Sequence, residues 1–160
     1  MAIATSGPGA YVDFDLYPMT SKAPILVIED DEDDQLFIQE ALTSLAIVNP
    51  VVFFTNGVAA IEYLMASVEA PLVILCDVNM PAMNGLELRK LIDLNEYLKP
   101  KCIPFVFLTT AADLGLVNMA YKMTIQGYFK KERTFSGLQE QLRSILDYWD
   151  KCLHPNSRFS

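Results

Sequence analysis

The stretch Leu72-Val73-Ile74-Leu75-Cys76-Asp77-Val78-Asn79-Met80-Pro81 runs apolar to Cys76 and then stops on a carboxylate. A short continuous apolar run rich in β-branched residues, with no alternate position suited to water, reads as a parallel strand buried on both faces. The same signature recurs at Ile25-Leu26-Val27-Ile28, Val51-Val52-Phe53-Phe54 and Phe105-Val106-Phe107-Leu108, and more weakly at Gln126-Gly127-Tyr128-Phe129. Between these runs lie segments of helical period. Leu36, Phe37, Ala41, Leu42 and Leu45 form one stripe, and Val58, Ile61, Leu64 and Met65 a second. Leu88, Leu91 and Ile92 form another, and Leu138, Leu142, Ile145 and Trp149 mark the last. Asn56-Gly57 punctuates the turn into the second helix, and Asn84 with Glu87 matches a capping box opening the third. Five strands alternating with five helices predict an α/β fold with a doubly wound parallel sheet and right-handed crossovers.

In such a sheet, functional groups collect at the carboxyl ends of the strands. The first strand ends in Glu29-Asp30-Asp31, the third in Asp77, the fourth in Thr109-Thr110 and the fifth in Lys130-Lys131. Buried apolar strands that terminate in carboxylates, a hydroxyl and an ammonium group call for a chemical reason.

The set resembles the CheY-like receiver domains of two-component response regulators. These carry an acidic pair after the first strand, an Asp after the third, Ser or Thr after the fourth and Lys after the fifth. Cys76 to Gly85 is similar to the family's phosphoacceptor motif, and Leu108-Thr109-Thr110 and Gly127 to Lys131 are similar to the other two. The likeness spans residues 24–150. It brings with it the flavodoxin-like (βα)5 fold with strand order 2-1-3-4-5, Asp77 as the phosphoacceptor, and a sensor histidine kinase or phosphotransfer protein as donor. In the family Thr109 would move toward the phosphoryl group and Tyr128 would turn inward, while the face of the fourth helix, fifth strand and fifth helix binds partners or forms homodimers.

The chemistry agrees with the likeness. Adjacent carboxylates repel one another and protonate unless a cation holds them ionised, and hard oxygen ligands that leave several waters in place suit Mg²⁺. Glu29 (through water), Asp30, Asp77 and the backbone carbonyl of Asn79 are the expected ligands. Asp77 is then the nucleophile, with Thr109 and Lys131 facing the phosphoryl oxygens. Such a domain is a self-modifying signalling module rather than a turnover enzyme. Several assignments stay open. Glu32, Asp33 and Asp34 read as a solvated run favourable at a helix N-terminus, and Asp31 belongs either to that run or to the site. Thr109 could simply cap a helix, Tyr128 could be core packing, and Lys130 belongs to the surface. His154 has no role in this scheme.

The chain departs from the family at Glu132, where the lysine is normally followed by proline. A cis bond before a non-proline residue costs about 2.5–4 kcal/mol, so a trans bond is expected there. Thr110 stands where the family often has Ala or Gly. The missing proline, the Leu-Thr-Thr segment and Asp147-Tyr148-Trp149 are similar to stand-alone receivers that accompany bacterial phytochrome kinases. Two competing readings are a pseudoreceiver that binds partners without phosphorylation and an Asp-nucleophile phosphohydrolase. The second needs an acid/base Asp where Asn79 stands.

Hydrophobic residues make up 52% of 160, ample for one buried core. A net charge of -8 repels phosphate backbones and anionic lipid, which excludes nucleic acid and membrane surfaces as partners and favours divalent cations and basic proteins. Cys76, Cys102 and Cys152 form no CxxC pair, which argues against a disulfide framework or zinc site and for a reducing cytoplasm. Neither a membrane-length apolar run nor a signal-peptide pattern is present. Residues 1–23, with Gly7, Pro8, Gly9 and Pro18, read as a flexible arm in which Met19 could be the start. Residues 24–150 read as the domain and residues 151–160 as a tail. With no output domain in view, the signal is expected to leave through protein contact, onward transfer or dimerisation.

Overall fold

The computed structural model describes residues 23–153. Most of the expected arm, the end of the tail and His154 lie outside the described residues. Strands β1 (Ile25–Ile28), β2 (Val51–Phe54), β3 (Val73–Cys76), β4 (Phe105–Thr109) and β5 (Gly127–Lys130) alternate with helices α1 (Glu32–Ser44), α2 (Gly57–Ala66), α3 (Gly85–Leu94), α4 (Leu114–Lys122) and α5 (Phe135–Lys151). The strands form one parallel sheet in the order β2-β1-β3-β4-β5, as the resemblance implies.

Every residue of β1, β3 and β4 is buried, because each strand sends alternate side chains into two separate cores. Leu26, Ile28, Ile74, Cys76, Phe105 and Phe107 face α2, α3 and α4. Ile25, Val27, Val73, Leu75, Val106 and Leu108 face α1 and α5. The expectation of burial on both faces fails at β2, whose residues are all half-buried. It lies at the sheet edge with a neighbour on one side only.

The helical stripes are correct in existence and in their central members, and too wide at their flanks. In α1 the expected Ala41 and Leu42 are buried together with Ile38, while Leu36 is 54% exposed. Val58, Met65 and Leu91, assigned inward by period, point to solvent, while the expected Leu64, Leu88 and Ile92, with Ala60, form the packed faces. In α5 the expected Leu138, Leu142 and Ile145 are buried. Helix α4 buries only Ala120, so little in its sequence marks an inner face. Helix starts follow local chemistry: Asn56 caps α2, and Asn84 and Glu87 form both bonds of the capping box at α3.

Among the described residues all peptide bonds are trans, including Lys131–Glu132. The three cysteines are free, and among the described residues no helix is long and apolar enough to cross a membrane.

Leu142 is fully buried under the α1–α5 side of the sheet. Leu142→Ala is expected to lower unfolding free energy by about 2–5 kcal/mol through lost transfer energy and a cavity. Leu36→Ala should stay within about 0.5 kcal/mol. Urea denaturation of both variants checks the reassigned face of α1.

Candidate functional site

The strand order reverses between β1 and β3, which opens a crevice beyond their carboxyl ends. Register places the acids. Ile28 pairs with Cys76, and the Asp77 amide donates to the Ile28 carbonyl at 2.9 Å, so Glu29 and Asp77 leave the sheet at one level. Oxygens of Glu29, Asp30 and Asp77 lie within 4.8 Å of one another. Glu29 and Asp77 are 2% and 8% exposed, so their mutual repulsion is little screened by water. Asp77 accepts a hydrogen bond from the Val78 amide, and Asp30 accepts none among the described residues. A tight group of hard oxygens with lone pairs to spare fits a small divalent cation. Asn79 is exposed two residues beyond Asp77.

Gln35 of α1 was not singled out in the sequence, yet its side-chain amide donates to the Glu29 carbonyl at 2.5 Å and ties the end of β1 to α1. Asp31 resolves as a cap, accepting from the Asp34 amide at 3.0 Å, and is exposed. The reading of Asp34 as a merely solvated residue needs correction. Its carboxylate lies 2.7 Å from the Lys131 ammonium, which also pairs with Glu29. The sequence signal was an Asp one helical turn after the buried acids, hidden in a run of like residues. Lys130 is exposed, as expected.

Burial pushes the Glu29 carboxyl above its ordinary value, against the hydrogen bond and charge of Lys131 and with the repulsion of Asp77. Burial pulls the Lys131 ammonium down, but its bonds to Asp34 and Glu29 and the charge of Asp77 outweigh this and hold it above the usual lysine value. Lys131 therefore stays cationic. Burial, with the charges of Asp77 and Glu29, pushes the Cys76 thiol well up, leaving it a protonated core residue and no rival nucleophile.

Thr109 and Tyr128 meet at one residue, Ala111. Thr109 is fully buried and its hydroxyl accepts from the Ala111 amide at 3.2 Å. The Tyr128 hydroxyl donates to the Ala111 carbonyl at 2.5 Å, while its ring packs against Phe107 with centroids 5.7 Å apart. Tyr128 is half-buried; burial, with the charges of Asp113 and Asp77, raises its hydroxyl and keeps it a donor. In place of the family's proline turn, Gln141 of α5 clamps the loop after β5, donating to the Lys130 carbonyl at 2.8 Å and accepting from the Glu132 amide at 3.4 Å.

This constellation on this sheet is that of a receiver domain, and the comparisons agree. The response regulator receiver domain family matches residues 25–143. The chain belongs to that family. It is similar to the response regulator Rcp1 of Synechocystis sp., 31% identical over 130 residues that span 78% of this chain and 87% of the relative. It is also similar to the chemotaxis protein CheY1 of Helicobacter pylori, 32% identical over 76% of this chain and 95% of that one. Among solved structures, the phosphorylated cyanobacterial phytochrome response regulator RcpA superposes with a TM-score of 0.73 at 29% identity, covering 82% of this chain and 96% of that one. The Mn²⁺-bound form of Rcp1 gives 0.70 at 28%, covering 82% and 97%.

Gly85 is where α3 meets the loop that follows Asp77. A Cβ there would stand 2.4 Å from the Asp77 carbonyl oxygen and 2.6 Å from the Phe107 ring. Gly85→Ala is expected to cost about 1–3 kcal/mol from overpacking, read by urea unfolding, and to displace the backbone amide signals of Asp77 and Val78 in NMR spectra.

Proposed function

We propose that this chain takes a phosphoryl group from a histidine kinase or a phosphotransfer protein onto Asp77 and uses it to switch a protein-interaction surface. The observation that carries this reading is the grouping of Glu29, Asp30 and Asp77 within 4.8 Å, with the Lys131 ammonium paired to Glu29 at the edge of the group. Glu29, Asp30, Asp77 and the Asn79 carbonyl would hold Mg²⁺, which supplies charge neutralisation for phosphoryl oxygens. A bound Mn²⁺ in the related Rcp1 supports a divalent ion in this pocket.

A carboxylate oxygen of Asp77 attacks the phosphorus, an O–P bond forms as the donor N–P bond breaks, and the imidazole leaves neutral once protonated. The protein has little covalent work to do and supplies position and charge. Lys131 stays protonated and can meet an equatorial oxygen, and the Thr109 hydroxyl can donate to another. When Thr109 turns to the phosphoryl group, the Ala111 amide loses its acceptor. Ala111, whose carbonyl Tyr128 also holds, is then free to move. It lies three residues before α4, whose Leu114, Met119 and Tyr121 are exposed and available to a partner or a second copy of the chain.

Incubation with acetyl phosphate and Mg²⁺ should add one phosphoryl group, mapped to Asp77 by mass spectrometry after borohydride trapping. Asp77→Asn or excess chelator should abolish it, and Thr109→Ala should blunt the Ala111 and Tyr128 NMR shifts that beryllofluoride induces. Labelling that persists in Asp77→Asn, or a wild-type chain inert to both reagents, would overturn the reading and favour a phosphorylation-independent binding module.

A further inference from the structure

We propose that Asp34 is a positioning residue that holds the Lys131 ammonium off the phosphoryl position in the resting chain, and that the ammonium exchanges Asp34 for a phosphoryl oxygen when Asp77 is modified. The inference rests on the phosphoacceptor reading above and concerns how its lysine is controlled.

The two halves of the Lys131 pairing differ. Glu29 and Lys131 side chains are 2% and 8% exposed, so their contact is buried and permanent; the Asp34 side chain is 40% exposed and can return to water at small desolvation cost. An ammonium group has three donors, and Glu29 and Asp34 use two of them. Helix α1 does not need the Asp34 carboxylate, because Asp31 supplies the cap and uses only the Asp34 amide. Among the described residues that carboxylate bonds to Lys131 alone. A cavity of about 210 Å³, lined by Asp34, Phe37, Thr110, Lys131 and Arg133, adjoins the pair. It gives the carboxylate room to swing, and its walls hold two further cations, Lys130 and Arg133, against one further anion, Glu132.

Charge sets the direction of the effect. Asp34 adds a fourth carboxylate beside the three of the pocket. It opposes the arrival of an anionic phosphoryl group and occupies the cation that would receive it. The partly exposed pair is screened, so its removal is worth about two- to fivefold in an equilibrium constant.

The test is titration of the full chain with beryllofluoride at saturating Mg²⁺, followed by NMR. Asp34→Asn and Asp34→Ser should bind about two- to fivefold more tightly than wild type, and Asp34→Glu, which keeps the charge, should not. The ratio should shrink toward one as ionic strength rises from about 0.05 to 1 M. In metal-free protein, the Lys131 side-chain ammonium protons should exchange faster in Asp34→Asn than in wild type. Equal or weaker beryllofluoride binding by the folded uncharged variants, or unchanged ammonium exchange, overturns the role of Asp34 and leaves the phosphoacceptor reading intact. A wild-type chain that binds no beryllofluoride overturns both.

Discussion

Three carboxylates within 4.8 Å of one another, two of them almost fully buried, repel one another with little screening by water and call for a cation close by. Lys131 answers part of that demand from the end of β5, three strands away from β1 in the sheet. The rest of the site is arranged around this electrostatic problem. The buried Glu29 is fixed by Gln35 and by Lys131, Asp30 accepts from no donor among the described residues, and Asp77 spends one acceptor on the Val78 amide. Lone pairs are left over where hard cations bind well.

The rigid part of the molecule holds this unfavourable group of charges in place. Strands β1, β3 and β4 are buried on both faces and locked in register, so the acids cannot relax apart without breaking two cores. The close approach of α3 to Asp77, Val78 and Phe107 is possible because residue 85 has no side chain. Arg89 fastens α3 to the far end of α4, its guanidinium donating to the Met123 carbonyl and to the Thr124 carbonyl and hydroxyl. Just ahead of the near end of α4, Ala111 is held by Thr109 and Tyr128. A helix with one buried residue, fixed at one end and hydrogen-bonded at the other to the site, is the element best placed to respond to a change at Asp77.

Much of this was legible in the chain. The apolar runs and their charged endpoints announced the strands, the parallel sheet and the identities of Glu29, Asp30, Asp77, Thr109 and Lys131, because strands buried on both faces leave no polar position except at their ends. The cap at Asn84 and the trans bond before Glu132 were equally readable, since each depends on neighbours in sequence. The flanks of the inward faces of α1 and α2 were not: Leu36, Val58 and Met65 fit the period but not the packing, and only the position of the sheet decides how wide a stripe it covers.

The partners of Lys131 lay furthest from view. Residue type and order determined that an ammonium group would stand near the acids, because both sit at strand ends of one sheet. Whether it would meet Asp77, Glu29 or Asp34 depends on a first helical turn folding back over the carboxyl edge. That contact joins residues 97 apart in sequence, and no local rule encodes it. Chemistry at the strand ends could be read residue by residue; the pairing of charges came from how the helices close over the sheet.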